Sequence, residues 1–162
     1  MQQLYGMILR LLIVFLGLTA CTPRADVIVR YDDWTGFNEY LTPEHEIFRD
    51  RKAIMTVRPV VIERGGTRAF GLLTNIRRRV PNGPIVEAMY AGDIQLQYQR
   101  HDRLLTHCID RCQRAEVGVI HLTEAAFRAA ARTGLPIRVQ GRRGRYDGVA
   151  PGWLFQRLLD QM

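Results

Sequence analysis

A chain of 162 residues with 23 basic and 16 acidic side chains has a formal net charge of +7. This length suits one domain with its own core, and the composition excludes a multidomain enzyme, a disordered tail and a low-complexity chain. The charge alone would favour a nucleic-acid or membrane-surface partner, but 22 of the 23 basic residues are arginine and only Lys52 is lysine, a skew typical of a genome-wide coding preference.

The N-terminus has the organisation of an export signal. Arg10 precedes an apolar run of eight residues (11–18), and small residues then lead to Cys21. A bilayer-spanning helix needs about 20 apolar residues, whereas the apolar region of a secretory signal needs about 7–15. The run therefore predicts a signal peptide over residues 1–20.

The segment Leu18-Thr19-Ala20-Cys21 resembles the lipobox of bacterial lipoproteins. The resemblance implies that the Cys21 thiol is diacylated, that the chain is cut before Cys21, and that the new amine is usually acylated with a further chain such as palmitate. Several acyl chains on one residue give stable anchoring. Thr22, where inner-membrane lipoproteins carry Asp, implies the outer membrane, with the domain facing the periplasm. Such an address excludes nucleic acid as a partner, and the mature chain would have 142 residues with a net charge of +6.

Residues 21–25 form a very short tether before a single periplasmic domain, which we expect over residues 26–162. Five extended residues span at most about 17 Å, so the domain would lie close to the lipid headgroups. Gly65 and Gly66 predict a tight turn that makes residues 53–76 a hairpin, with Pro59 at an edge or a bulge. Alternating or β-branched patterns predict further strands at 26–31, 85–90, 93–99, 103–108, 117–122 and 137–140.

Two short helices are expected near the C-terminus. Thr123 is a typical N-cap and Gly134 a typical stop for the alanine-rich segment between them, and Pro151 opens an amphipathic segment that runs to Gln161. The whole pattern predicts an α+β domain that is rich in antiparallel β-structure. We expect a curved sheet or a sandwich of about seven to eight strands with two packed helices.

Cys108 and Cys112 flank three residues between two predicted strands. In a hairpin with a three-residue loop, the flanking residues lie opposite one another at a Cα separation of about 5 Å, which suits a disulfide. Because the periplasm is oxidising, we predict that this pair is joined. Redox-active pairs usually have a two-residue spacer at a helix N-terminus, which this pair lacks.

No metal or cofactor is predicted. His101, His107, His121 and the two cysteines do not follow a zinc-ligand spacing, because His107 and Cys108 are adjacent and adjacent strand residues point to opposite faces. The haem-attachment pattern is also absent from the sequence, since it needs two residues between the cysteines and a histidine directly after them.

Asp32, Asp33 and His45, with Glu44 and Glu46 nearby, are the residues from which a hydrolase site would be built. A hydrolytic dyad needs a carboxylate with a raised pKa beside a histidine or second acid, and nothing in this spacing demands one. The chain has no serine. Residues 32–36 predict a turn and residues 43–46 an exposed loop.

Two arginine clusters fall in predicted turns and are candidate contacts to an anionic surface: Arg77, Arg78 and Arg79, then Arg142, Arg143 and Arg145. Solvated arginines of a GC-rich coding background are the alternative.

The sequence favours a non-enzymatic outer-membrane lipoprotein that acts as an adaptor or structural component of the envelope, with an envelope protein as partner. Two alternatives stay open. One is a binding module that uses a sheet face or the aromatic residues near Tyr31, Trp34, Trp153 and Phe155, and the other is the hydrolase.

Overall fold

The computed structural model describes residues 27–32, 35–78, 85–101, 105–108, 112–141 and 144–162. These residues form twelve strands and two helices in the order β1 (Ile28–Asp32), β2 (Phe37–Leu41), β3 (His45–Arg49), β4 (Ala53–Arg64), β5 (Thr67–Arg78), β6 (Ala88–Ala91), β7 (Ile94–Gln95), β8 (Gln97–Arg100), β9 (Leu105–Cys108), β10 (Cys112–Leu122), α1 (Glu124–Thr133), β11 (Leu135–Gly141), β12 (Gly144–Ala150) and α2 (Gly152–Gln161).

The described strands form two sheets. The main sheet has eight strands in the order β1-β2-β4-β5-β10-β8, with β3 also paired to β4 and β9 also paired to β10. The small sheet has four strands in the order β12-β11-β6-β7. Every pairing between described strands is antiparallel. The predicted β-rich antiparallel α+β class, with two short helices near the C-terminus, is confirmed.

The β4–β5 hairpin is the centre of the main sheet. Its register runs without interruption from Ala53 opposite Arg78 to Arg64 opposite Thr67. Gly65 and Gly66 form the two-residue turn with φ angles of 56° and 78°, a left-handed region that glycine enters without a steric penalty. The predicted hairpin is therefore confirmed and extends to residue 78.

Pro59 lies inside β4 rather than at a sheet edge. The partner of β4 on one side changes here, because β2 ends opposite Val60 and β3 begins opposite Val57. The Pro59 carbonyl accepts a hydrogen bond from the Thr42 amide at 3.4 Å, and Thr42 lies between β2 and β3. The N–H and C=O of one residue in an antiparallel strand point to the same side, so the N–H that proline lacks would also point to this space between the two strands. A proline is tolerated in this interior strand because no ladder bond is lost.

One face of the main sheet carries the core. Along β4, the side chains of Ala53, Met55, Val57 and Val61 are buried, as period-2 alternation requires. Both helices cover this face. A chain of tilted aromatic rings joins them to the sheet, with centroids 5.2 Å apart between Phe70 and Phe127 and 5.1 Å apart between Phe127 and Phe155.

Both predicted helices are confirmed. Thr123 accepts a hydrogen bond from the Ala126 amide through its hydroxyl at 3.1 Å, and the Gly134 amide closes α1 by donating to Ala130. The second helix begins at Gly152, one residue after Pro151. No helix among the described residues is long and apolar enough to cross a membrane.

The predicted strand over residues 93–99 is in fact two strands in different sheets. The first, β7, pairs with β6 in the small sheet, and the second, β8, pairs with β10 in the main sheet. Leu96 is the crossing point, where its amide donates to the Met89 carbonyl at 2.8 Å. Alternation alone could not reveal the change of partner, because both halves keep the same period.

The sequence analysis did not predict three strands, which are β2, β3 and β12. The prediction of an exposed loop over residues 43–46 is wrong at its end, because β3 begins at His45 and pairs with β4. A register shift between Glu46 and Phe48 disturbs the alternation there. The last strand, β12, contains two glycines and an aspartate, which strands usually avoid, yet it pairs along its length with β11.

Candidate functional site

A cleft lies at the end of the main sheet where β4 begins and β5 ends. It has a volume of about 370 Å³. We call it the basic cleft, since five of the eight residues that line it are cationic: Arg49, Asp50, Arg51, Lys52, Ala53, Ile54, Arg77 and Arg78. It forms because the register places Ala53 opposite Arg78 and Ile54 opposite Arg77, which brings the β3–β4 loop beside the last residues of β5.

Asp50 shapes the loop at the mouth of the cleft. Its carboxylate accepts hydrogen bonds from the backbone amides of Lys52 at 2.7 Å and Ala53 at 2.5 Å. The Asp50 amide donates in turn to the Ala53 carbonyl at 2.9 Å. Among the described residues that line the cleft, Asp50 is the one acidic residue, and its turn leaves the side chains of Arg51 and Lys52 exposed.

The positive charge of the basic cleft is only partly balanced. Arg49 forms an ion pair with Glu46, and this hydrogen bond lowers the pKa of the Glu46 carboxyl and raises the pKa of the Arg49 guanidinium. In the part of the chain that the structure describes, no acidic side chain pairs with Arg51, Lys52 or Arg77. The cleft therefore offers three exposed cations to an anionic group.

Arg78 lies at the inner end of the cleft and is only 6% exposed. Its guanidinium carbon lies 5.4 Å from the centre of the Tyr146 ring, and burial raises the pKa of the Tyr146 hydroxyl. Tyr146 belongs to β12, and its ring also packs against Phe48 of β3 at a centroid distance of 5.0 Å. The inner end of the cleft thus joins the main sheet to the small sheet.

The structure describes three of the six arginines that the sequence singled out. Arg77 and Arg78 line the basic cleft. Arg145 instead pairs with Asp147 at 3.0 Å, and hydrogen bonds from Arg138 and then from Arg145 lower the pKa of the Asp147 carboxyl. Arg79, Arg142 and Arg143 lie outside the described residues.

Arg49, Arg51 and Lys52 were not predicted from the sequence as site residues, yet they line the basic cleft. A signal was present, because these three cations occur within four residues, directly before a long strand. Their proximity to Arg77 follows only from the strand register, which joins positions about 25 residues apart in the chain.

The backbone pairs Cys108 of β9 with Cys112 of β10. This is the cross-strand placement that the predicted disulfide needs. The disulfide itself stays a prediction. Cys21, the predicted lipid-attachment site, lies outside the described residues, as do the whole signal peptide and the tether.

Asp32 and His45 are not brought together. Asp32 lies level with Arg64, and His45 lies level with Val57. Seven residues of extended strand correspond to roughly 23 Å. The Asp32 carboxylate accepts a hydrogen bond from the Thr35 hydroxyl at 2.7 Å, as expected for the predicted turn, and Asp33 lies outside the described residues.

The neighbouring acids have other partners. Glu44 contacts Thr56 at 3.2 Å and Arg58 at 3.3 Å, and Glu46 pairs with Arg49. No three His, Cys, Asp or Glu side chains among the described residues lie close enough to hold a metal ion. His121 contacts the Gln99 side chain at 3.0 Å, and His101 is exposed.

The aromatic residues that the sequence offered as a binding surface differ in exposure. Phe155 is a core residue, whereas Tyr31 is 67% exposed and Trp153 is 45% exposed. The Arg157 guanidinium lies 4.5 Å from the centre of the Trp153 ring, and His45 meets the same ring edge-on at 5.4 Å. Trp34 lies outside the described residues.

Comparisons with protein-family models, with curated proteins and with solved structures give no match.

Proposed function

We propose that this chain is a lipid-anchored component of the bacterial outer membrane that faces the periplasm and acts as a non-enzymatic adaptor. The lipobox at residues 18–21 supports the anchor. The basic cleft supports a binding role, and it is the observation on which the proposal depends. Three exposed cations that pair with no acidic side chain among the described residues recognise an anionic group by charge, and this needs no nucleophile or general base.

The hydrolase alternative receives no support from the geometry. A hydrolytic site needs its acid and its histidine within hydrogen-bond reach of one substrate, directly or through one water. Asp32 lies level with Arg64 and His45 lies level with Val57, and the Asp32 carboxylate accepts a hydrogen bond within its own turn.

To test the lipid anchor, bacteria that express the protein are grown with a clickable palmitate analogue, and the label on the protein is measured. The wild-type protein should carry the label and fractionate with the outer membrane. Cys21→Ser should abolish the label, while Cys108→Ser, the matched control, should keep it. A label that survives Cys21→Ser would overturn the lipoprotein proposal.

A separate variant tests the proposed sorting to the outer membrane. If Thr22 directs the protein to the outer membrane, Thr22→Asp should move the labelled protein to the inner-membrane fraction of a density gradient. An unchanged distribution would contradict outer-membrane sorting while leaving the lipid anchor intact.

The adaptor role is tested by cross-linking in intact cells and identification of the captured proteins. The wild type should capture an envelope protein reproducibly. The variant Arg51→Gln/Arg77→Gln should lose either that protein capture or the contact of the cleft with the membrane surface. The control Arg64→Gln/Arg68→Gln removes the same charge at the other end of the β4–β5 hairpin, and it should keep both. Equal capture and equal membrane contact by the two variants would refute a binding role for the cleft.

A further inference from the structure

The direction in which the chain enters the fold is set by β1. Through β2, Ile28 is level with Val60 of β4, and Asp32 is level with Arg64. The first strand therefore runs parallel to β4. The N-terminal end of β1 therefore faces the end of the main sheet at which β4 begins, and this end carries the basic cleft.

The tether is just long enough to reach that end. Cys21 precedes Ile28 by seven residues, and Ala53 precedes Val60 by the same number. Seven residues of extended chain span roughly 23 Å. A lipid on Cys21 can therefore reach the level of the cleft, and the short tether would keep that level close to the headgroups.

The two ends of the β4–β5 hairpin differ in charge. The basic cleft is lined by five cationic side chains and one acidic side chain, and Glu46 balances one of the cations. At the turn end, Arg64 and Arg68 are matched in number by Asp32 and Glu63, and Glu63 pairs with Arg68 at 3.3 Å. An anionic surface would therefore attract the cleft end and not the turn end.

We infer that the basic cleft binds the phosphate groups of anionic phospholipids in the membrane that holds the Cys21 anchor, so that the cleft end of the main sheet faces the bilayer. This inference rests on the proposed function, since it needs the lipid anchor. Arg51, Lys52 and Arg77 supply the exposed donors. Guanidinium groups suit this role because their paired N–H donors match two oxygens of one phosphate.

Lys52 provides a direct test because it is the only lysine in the chain and lines the cleft. The purified lipidated protein is inserted into vesicles of phosphatidylcholine, with or without phosphatidylglycerol, and treated with a water-soluble amine reagent. Mass spectrometry follows modification of the Lys52 side chain. The charge-preserving variant Arg64→Lys places a second reporter at the exposed turn end.

The expected result is slow modification of Lys52 in vesicles with phosphatidylglycerol and fast modification in phosphatidylcholine or in detergent. The reporter at position 64 should react quickly in all three. In Arg51→Gln/Arg77→Gln, the loss of two basic groups near an anionic surface should weaken the cleft contact roughly 30-fold and expose Lys52. The control Arg64→Gln/Arg68→Gln should keep the protection, and high salt should remove it.

The two proposals fail in different ways. A protein that lacks acyl chains and does not bind vesicles would overturn the proposed function. A lipidated, vesicle-bound protein whose Lys52 reacts as quickly as the residue-64 reporter would overturn the cleft inference and leave the anchor standing. Protection that is equal in neutral and anionic vesicles would also overturn it, because it would not depend on the net negative charge of the lipid. Inorganic phosphate that restores fast modification at constant ionic strength would support recognition of the phosphate group itself, and no such effect would contradict it.

Discussion

Glu116 holds the two sheets together through a buried carboxylate. It is fully buried on the inner face of β10. One oxygen accepts from the Ile85 amide at 2.7 Å and more weakly from Val86 at 3.4 Å. The other accepts from the Tyr98 hydroxyl at 3.2 Å and pairs with Arg100 at 3.0 Å. Burial, together with the Glu116 charge, raises the pKa of Tyr98, so the hydroxyl remains a donor.

We expect Glu116→Ala to lower the free energy of unfolding by about 3–5 kcal/mol, the usual cost of removing one partner from a buried charged network. Each buried donor that loses its acceptor contributes about 1–3 kcal/mol, and water cannot easily replace the Glu116 oxygen at the Ile85 amide because Ile85 is buried. Arg100, which is partly exposed, can turn to solvent and adds less. Glu116→Gln keeps one acceptor oxygen, so its cost should be smaller, about 2 kcal/mol.

Urea unfolding followed by circular dichroism measures these differences, with Glu44→Gln as the control. Glu44 has a comparable pair of contacts at an exposed position, so its loss should cost at most about 1 kcal/mol. Hydrogen exchange gives a local readout, since the Ile85 amide should exchange faster in the Glu116 variants. If Glu116→Ala were no less stable than Glu44→Gln, the buried carboxylate would not be holding the sheets, and the reasoning would be refuted.

Three further changes probe the fold. Gly118→Ala would place a methyl carbon 2.3–2.4 Å from the Cε2, Cζ and hydroxyl oxygen of Tyr98, so it should cost about 1–3 kcal/mol in urea unfolding, and wild-type stability would show that the ring moves freely. Asp147 has a lowered pKa in the folded state, so its contribution to folding stability is present above its unfolded pKa and is lost as the pH falls through the folded pKa. Asp147→Asn should therefore flatten the acid side of the profile of melting temperature against pH. An unchanged profile would contradict this. Replacing Cys108 and Cys112 by serine should cost about 2 kcal/mol, and free thiols in non-reducing mass spectrometry of the exported protein would exclude the disulfide.

The parts of the fold that could be predicted are those with local signals. The β4–β5 hairpin follows from alternation on both sides of Gly65 and Gly66, and α1 follows from Thr123 and Gly134. The strand β12 could not be found in this way, because its own residues disfavour a strand and its pairing with β11, together with the packing of Tyr146 on Phe48, stabilises it. Its existence depends on contacts that lie outside the segment.

The basic cleft shows the same limit at the level of function. Arg77 and Arg78 were visible as a charged run, but the exposed cations Arg51 and Lys52 join them only because Ala53 pairs with Arg78. Glu116 could be assigned to the inner face by its spacing from Ile120. Its role as a hydrogen-bond acceptor, however, depends on where the fold places the backbone amide of Ile85. Charge in a sequence predicts a class of partner, and strand register decides which charges meet.

The stability of the molecule and its candidate site depend on the same junction. Glu116 binds the backbone at residues 85 and 86, just before β6, and Arg78 lies on the ring of Tyr146 in β12. Both contacts fix the small sheet against the main sheet, and the second one forms the inner end of the basic cleft. A loosened junction should therefore affect the cleft before the distant β4–β5 turn. In Glu116→Gln, vesicle protection of Lys52 should fall while the reporter at position 64 still reacts at its wild-type rate. Unchanged protection in a variant with lowered stability would show that the cleft does not depend on this junction.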